Sequence, residues 1–114
     1  MQSYEVRCAT RRAHLEAAVA EFVALCAERS DICEAFVFGS FARDEVGPHS
    51  DLDVLVIRQT DAPRLSRGDD LLVARKSAIP IDLIVLRPDE YAKRLELTGF
   101  GKTILAEARK IYAT

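Results

Sequence analysis

Apolar residues recur at three- and four-residue spacing in the first third of the chain, at Leu15, Ala18, Val19, Phe22, Val23 and Cys26. That period predicts an amphipathic helix over residues 10–29, with Arg11, Arg12, Glu16, Glu21 and Glu28 mostly off the stripe. Ser30-Asp31 breaks it. Residues 33–38 are aromatic and β-branched over a short run, which predicts a strand. Gly39 ends that strand, a helical turn starts at Ser40, and Gly47-Pro48 marks a loop. A second strand is predicted over 52–57, followed by a polar loop over 58–69 and a weak helix over 69–77. Pro80 opens a third strand over 81–86, a position that tolerates proline. Pro88-Asp89-Glu90 starts a helix reaching about Leu97, with proline first and acids in the first turn. Thr98 to Gly101 interrupt it. A last helix is expected over 102–112, with Ile104, Leu105, Ala108, Ile111 and Tyr112 as its stripe. The order predicts an α/β fold of the α+β type, a small mixed β-sheet flanked by helices.

The 114 residues fit one domain, 1–114, large enough to bury a core. With 16 Lys+Arg against 18 Asp+Glu the net charge is −2, so no general field attracts nucleic acid. Cys8, Cys26 and Cys33 are odd in number and form no C-x-x-C pair, which argues for reduced thiols over a disulfide framework or a zinc site. No basic-then-apolar leader and no long apolar run are seen, so the expected location is the cytoplasm, away from membranes. His14 and His49 lack metal-ligand spacing and read as surface residues. Arg64, Arg67, Arg75 and Lys76 are interspersed with acids and read as a solvated face.

Chemistry concentrates between residues 39 and 82. Asp51 and Asp53 are spaced i and i+2 at the mouth of a strand, so they share a face. Asp82 sits among apolar residues in the third strand, where a lone carboxylate is costly unless paired or bound to a cation. If the two strands are neighbours, three carboxylates meet at one end of the sheet. At about 4 Å, two of them repel by roughly 4 kcal/mol at an effective dielectric of ~20. A hard cation relieves this, Mg2+ first and Mn2+ second. Gly39 lets backbone approach a phosphate, Ser40 offers a hydroxyl, and Arg43 is placed to reach the same group. Asp82 is the natural general base.

Gly39-Ser40-x-Ala42-Arg43, then Ser50-Asp51-x-Asp53, then Asp82 resembles the minimal nucleotidyltransferases of the DNA polymerase β superfamily. The resemblance extends over most of the chain. It implies a polymerase β-like nucleotidyltransferase fold, metal binding and catalysis at Asp51, Asp53 and Asp82, and nucleotide phosphates held at Gly39 and Ser40. ATP as donor comes from the family alone, because no residue reads a base edge. One position departs: residue 44, commonly glycine in the family, is Asp44, followed by Glu45. Negative charge there opposes a triphosphate unless both side chains turn away.

Larger members of the superfamily carry a second, helical domain that presents the acceptor, and the chain is too short to hold one. The acceptor is then a free small molecule or another polypeptide. Stand-alone minimal nucleotidyltransferases resemble, as a group, MntA-like antitoxins whose partner is a helical HEPN-family toxin. The resemblance implies transfer of AMP from ATP to a tyrosine of that toxin. The alternatives are an antitoxin that acts by contact alone, and an adenylyltransferase for a small hydroxylated compound. A homodimer is compatible with the exposed apolar helix faces of so small a domain.

Overall fold

The computed structural model describes residues 2–97 and 106–114. Helix α1 spans Tyr4–Ala27 and buries Leu15, Ala18, Phe22 and Cys26, the stripe read from the spacing. It begins six residues before the predicted start. Ser3 explains this, its side-chain oxygen accepting from the Val6 N–H at 3.2 Å as an N-cap. Strand β1 covers Ile32–Phe38, and the four-residue helix α2 covers Gly39–Ala42. Strand β2 runs Leu52–Arg58. A 3₁₀ turn at Arg64–Ser66 interrupts the expected loop, and the weak helix forms as α3, Asp69–Ala74. Strand β3, Ile81–Leu86, and helix α4, Pro88–Leu97, fall where the sequence placed them.

The chain ends differently from its prediction. Arg109–Ala113 is a strand, β4, in place of the second half of the helix expected over 102–112. Residues 102–105, with Ile104 and Leu105, lie outside the described residues, as do Thr98 to Gly101. The free edge of β1 explains the change. β4 pairs with it antiparallel, Phe36 opposite Lys110 and Val37 opposite Arg109. A short apolar run fits a helix or a strand, and an unpaired neighbouring strand decides between them.

Among the described residues four strands form one mixed sheet in the order β3-β2-β1-β4. β1 and β2 are antiparallel, whereas β2 and β3 are parallel. Alternation along β2 separates two cores. Leu52, Val54 and Val56 pack with Leu15, Phe22 and Leu71 on the side of α1 and α3. Leu55 and Ile57 pack with Leu86, Phe36 and Tyr91 on the side of α4. The Phe36 and Tyr91 rings stack there, 6.0 Å between centroids. Asp53 and Asp82 continue the α4-side rows of β2 and β3 to the end of the sheet.

At the far end of β2, Arg58 is buried and donates to Asp31 at 2.8 Å and to Asp70 at 2.7 Å. Arg29 reaches the same Asp70 at 2.6 Å. Arg67, read from sequence as part of a solvated face, is also buried and pairs with Glu90 of α4. No thiol is bridged; Cys26 is buried, and burial pushes its thiol up to about 11. No helix among the described residues is long and apolar enough to cross a membrane.

Candidate active site

Antiparallel pairing sets Phe38 opposite Asp53, so the turn leaving β1 passes the mouth of β2. Gly39 makes that turn at a φ of 73°. A Cβ on Gly39 would lie 2.2 Å from Oδ2 of Asp53. Glycine is therefore required twice, for a left-handed backbone and for the space the Asp53 carboxylate fills. The sequence linked this glycine to a phosphate; the structure gives it a first task against Asp53. The Glu45 N–H donates to the Ser40 carbonyl at 2.9 Å and the Arg43 N–H to the Gly39 carbonyl at 3.1 Å. Phe41 anchors the turn in the α1-side core.

Parallel pairing sets Asp53 directly opposite Asp82. Neighbouring strands are about 4.8 Å apart, so the two carboxylates leave one sheet face side by side. Asp53 is half-buried and Asp82 is exposed. Exposure removes the burial cost that the sequence assigned to Asp82, since its apolar neighbours lie deeper in the strand. Asp53 holds its proton more tightly than usual. Burial raises its carboxyl first, then the charge of Asp82, then that of Asp51, while Arg43 lowers it. The rim therefore carries negative charge that the protein leaves only partly balanced.

Asp51 stands just before β2 and is exposed. Arg11 of α1 lies 3.9 Å from its carboxylate and donates through Nε to the Ser50 carbonyl at 2.8 Å. A cation thus stands beside the carboxylates although none adjoins them in sequence. The signal was available. Arg11, Leu15, Ala18, Phe22 and Cys26 follow one another by four, three, four and four residues, which puts this arginine on the core stripe rather than the solvated face. Among the described residues no three carboxylate, imidazole or thiol groups close into a ready-made metal ligand set.

Arg43 does not stand open toward the turn. Its Nε donates to Glu45 at 3.0 Å and its Nη1 to Glu107 at 3.1 Å, and these bonds raise its pKa. Asp44, the departure from the family pattern, has a φ of 63°. Glycine suits such a position and aspartate is among the few other residues that tolerate it. Its carboxylate pairs with Arg12 of α1. Each of the two unexpected acids thus has an arginine partner. From β4, Arg109 stacks on the Phe41 ring at 5.3 Å and donates to the Phe41 carbonyl at 3.4 Å. Glu107 and Arg109 both hold the Gly39–Arg43 turn, and the predicted helix had hidden that contact.

Four mixed strands flanked by helices, with paired aspartates facing a Gly-Ser turn, define a nucleotidyl-transfer fold. A family model described as the nucleotidyltransferase domain matches residues 19–111. The chain belongs to that family, and it is a transferase of nucleotidyl groups. No curated protein matches its sequence. Among solved structures, it is similar to a Sulfolobus solfataricus protein assigned as a nucleotidyltransferase, at 18% identity and a TM-score of 0.66, over 94% of this chain and 87% of that one. It is also similar to a toxin–antitoxin structure with AMP-PNP, at 16% identity and a TM-score of 0.57, over 84% of this chain and 73% of that one. The MntA–HepT toxin–antitoxin gives 14% identity and a TM-score of 0.54, covering 87% and 73%.

Proposed function

We infer that the protein transfers AMP from ATP to a hydroxyl, most simply a tyrosine of a HEPN-family partner. The observation that carries this is the side-by-side placement of Asp53 and Asp82 against the Gly39-Ser40 turn. Asp51, Asp53 and Asp82 offer only carboxylate oxygens, and a hard cation relieves both causes that raise Asp53, burial first and then the charge of Asp82 and Asp51. The residues therefore fit Mg2+, or Mn2+ in its place. Such an ion, when bound, neutralises charge on the phosphates and on the departing pyrophosphate. Asp51 joins the other two by giving up its contact with Arg11.

The remaining steps fall to the chain's own groups. Gly39 and Ser40 place backbone N–H groups and a hydroxyl beside the carboxylates, where they hold triphosphate oxygens. Asp82 is exposed, so an acceptor hydroxyl can approach it and hand over its proton. The acceptor oxygen then bonds to the α-phosphorus and the bond to the β-phosphate bridge breaks, releasing pyrophosphate. Arg43 reaches the nucleotide by exchanging Glu45 or Glu107 for a phosphate, a trade of one anion for another.

The toxin partner is supported by the structural neighbours, one of which is a tri-AMPylated Shewanella oneidensis HEPN toxin in complex with an MNT antitoxin, at 15% identity and a TM-score of 0.50. The contact-only alternative drew on Asp44 and Glu45 as charges hostile to a triphosphate. Their pairing with Arg12 and Arg43 weakens that objection. The test is incubation of the protein with α-labelled ATP, Mg2+ and the product of the neighbouring gene. Label is expected on a tyrosine of that partner and absent with Asp53→Asn. Label on a small hydroxylated compound alone moves the acceptor to that class, and ATP binding with no transfer to either overturns the enzyme reading.

A further inference from the structure

Two hollows open along the exposed side of α1, away from the α4 face of the sheet. The larger, about 500 Å³, lies between α1 and the segment leading into β3, and the smaller is about 230 Å³. Arg11 and His14 line both, so the two adjoin as a divided cleft. Its floor is apolar and made of small or buried groups, Ala17, Ala18 and Ile79. Its rim carries Lys76 at one end and Arg7 and His49 at the other.

The wall is fixed before any ligand arrives. Glu21 accepts the backbone N–H groups of Lys76 at 2.8 Å and Ser77 at 3.2 Å. The Ser77 hydroxyl accepts from the Ile79 N–H at 3.2 Å, and Arg75 donates to the Ile79 carbonyl. The only acid lining the cleft is thereby occupied by its own wall, while the Lys76 and Arg7 side chains and both imidazoles have no hydrogen-bond or ion-pair partner among the described residues. A preformed apolar floor under convergent donors is the usual form of a small-molecule site.

We propose that this cleft is a second ligand site, which takes a small molecule with a phosphate or carboxylate head on a flat apolar body. The head lies among Arg11, His14 and Lys76, and the body covers Ala17, Ala18 and Ile79. The site stands on its own lining and meets the transfer site only through Arg11, which also lies beside Asp51.

The test uses the intact protein in metal-free buffer, with phenyl phosphate, benzoate and benzylamine as probes, followed by amide chemical shifts. Phenyl phosphate or benzoate is expected to saturate shifts at residues 11–21 and 76–79, with benzylamine inert. Lys76→Gln and His14→Gln, both at exposed positions, should each weaken binding, the former on the order of tenfold. Ala17→Trp fills the floor and should abolish it. Absence of saturation in that region, shifts confined to the Gly39–Arg43 turn, equal binding of benzylamine, or unchanged affinity in Lys76→Gln overturns the proposal. Failure of ATP transfer with anion binding intact counts against the transferase reading alone.

Discussion

Asp53 is where fold and proposed chemistry pull against each other. Its carboxyl is raised above the ordinary 3.8 by burial and by Asp82 and Asp51, so the folded chain binds more protons there than the unfolded one. This contribution to stability is therefore greatest at low pH and declines as pH rises from about 3.8 through the raised value. Asp53→Asn is expected to raise the melting temperature at pH 7 while eliminating Mg2+-dependent transfer; calorimetry beside a labelling assay reads both. A lower melting temperature would show that the charge is balanced in the fold. Gly39→Ala should cost about 1–3 kcal/mol from backbone strain alone, with displacement of Asp53 added to it. Urea unfolding measures that loss, and an unchanged midpoint would mean the turn relaxes.

Elements set by local pattern were legible in the sequence, and elements set by distant partners were not. Strand β2 announces itself through Leu52 to Ile57, and α4 through Pro88-Asp89-Glu90. Asp51, Asp53 and Asp82 could be named from the strand period, and the structure sets Asp53 beside Asp82. The start of α1 was missed because residues 4–9 carry no apolar stripe, although Ser3 was present as a cap. β4 was missed because Ile111 and Tyr112 suit either element, and only the edge of β1, far away in sequence, decides. NMR should show cross-strand contacts between Phe36 and Lys110 and between Val37 and Arg109. Helical sequential contacts over 109–113 would restore the predicted helix. Arg109→Leu should cost about 1–2 kcal/mol through the lost ring and carbonyl contacts. Its slackening of the Gly39–Arg43 turn should also weaken ATP binding, measured by titration.

Across the whole molecule, charge is distributed unevenly between the two ends of the sheet. At the mouth of β2 the carboxylates are crowded. At its far end Asp70 sits between Arg58 and Arg29, which hold its carboxyl well below the usual carboxylate range. A depressed carboxyl stabilises the fold above its unfolded value, here 3.8, and that stability is lost as pH falls below it. Asp70→Asn should cost about 1–3 kcal/mol at pH 7, less than for a fully buried pair because the side chain is 44% exposed. Its effect should fade on acidification, which a pair of urea curves at pH 7 and pH 3 would reveal. An equal loss at both would leave the pair without electrostatic weight.

The pairing of β4 with β1 has a consequence for how the chain comes together. The turn and the carboxylates all lie between residues 39 and 82, and the β1–β2 pairing is closed by residue 58. The last strand must return across about two thirds of the chain to meet Glu34 and Val37. During synthesis the carboxylate rim can assemble while β1 still has a bare edge, and bare edges invite strands from other molecules. Until Arg109–Ala113 emerges and docks, a nascent chain with a nearly complete candidate site remains open to misassembly.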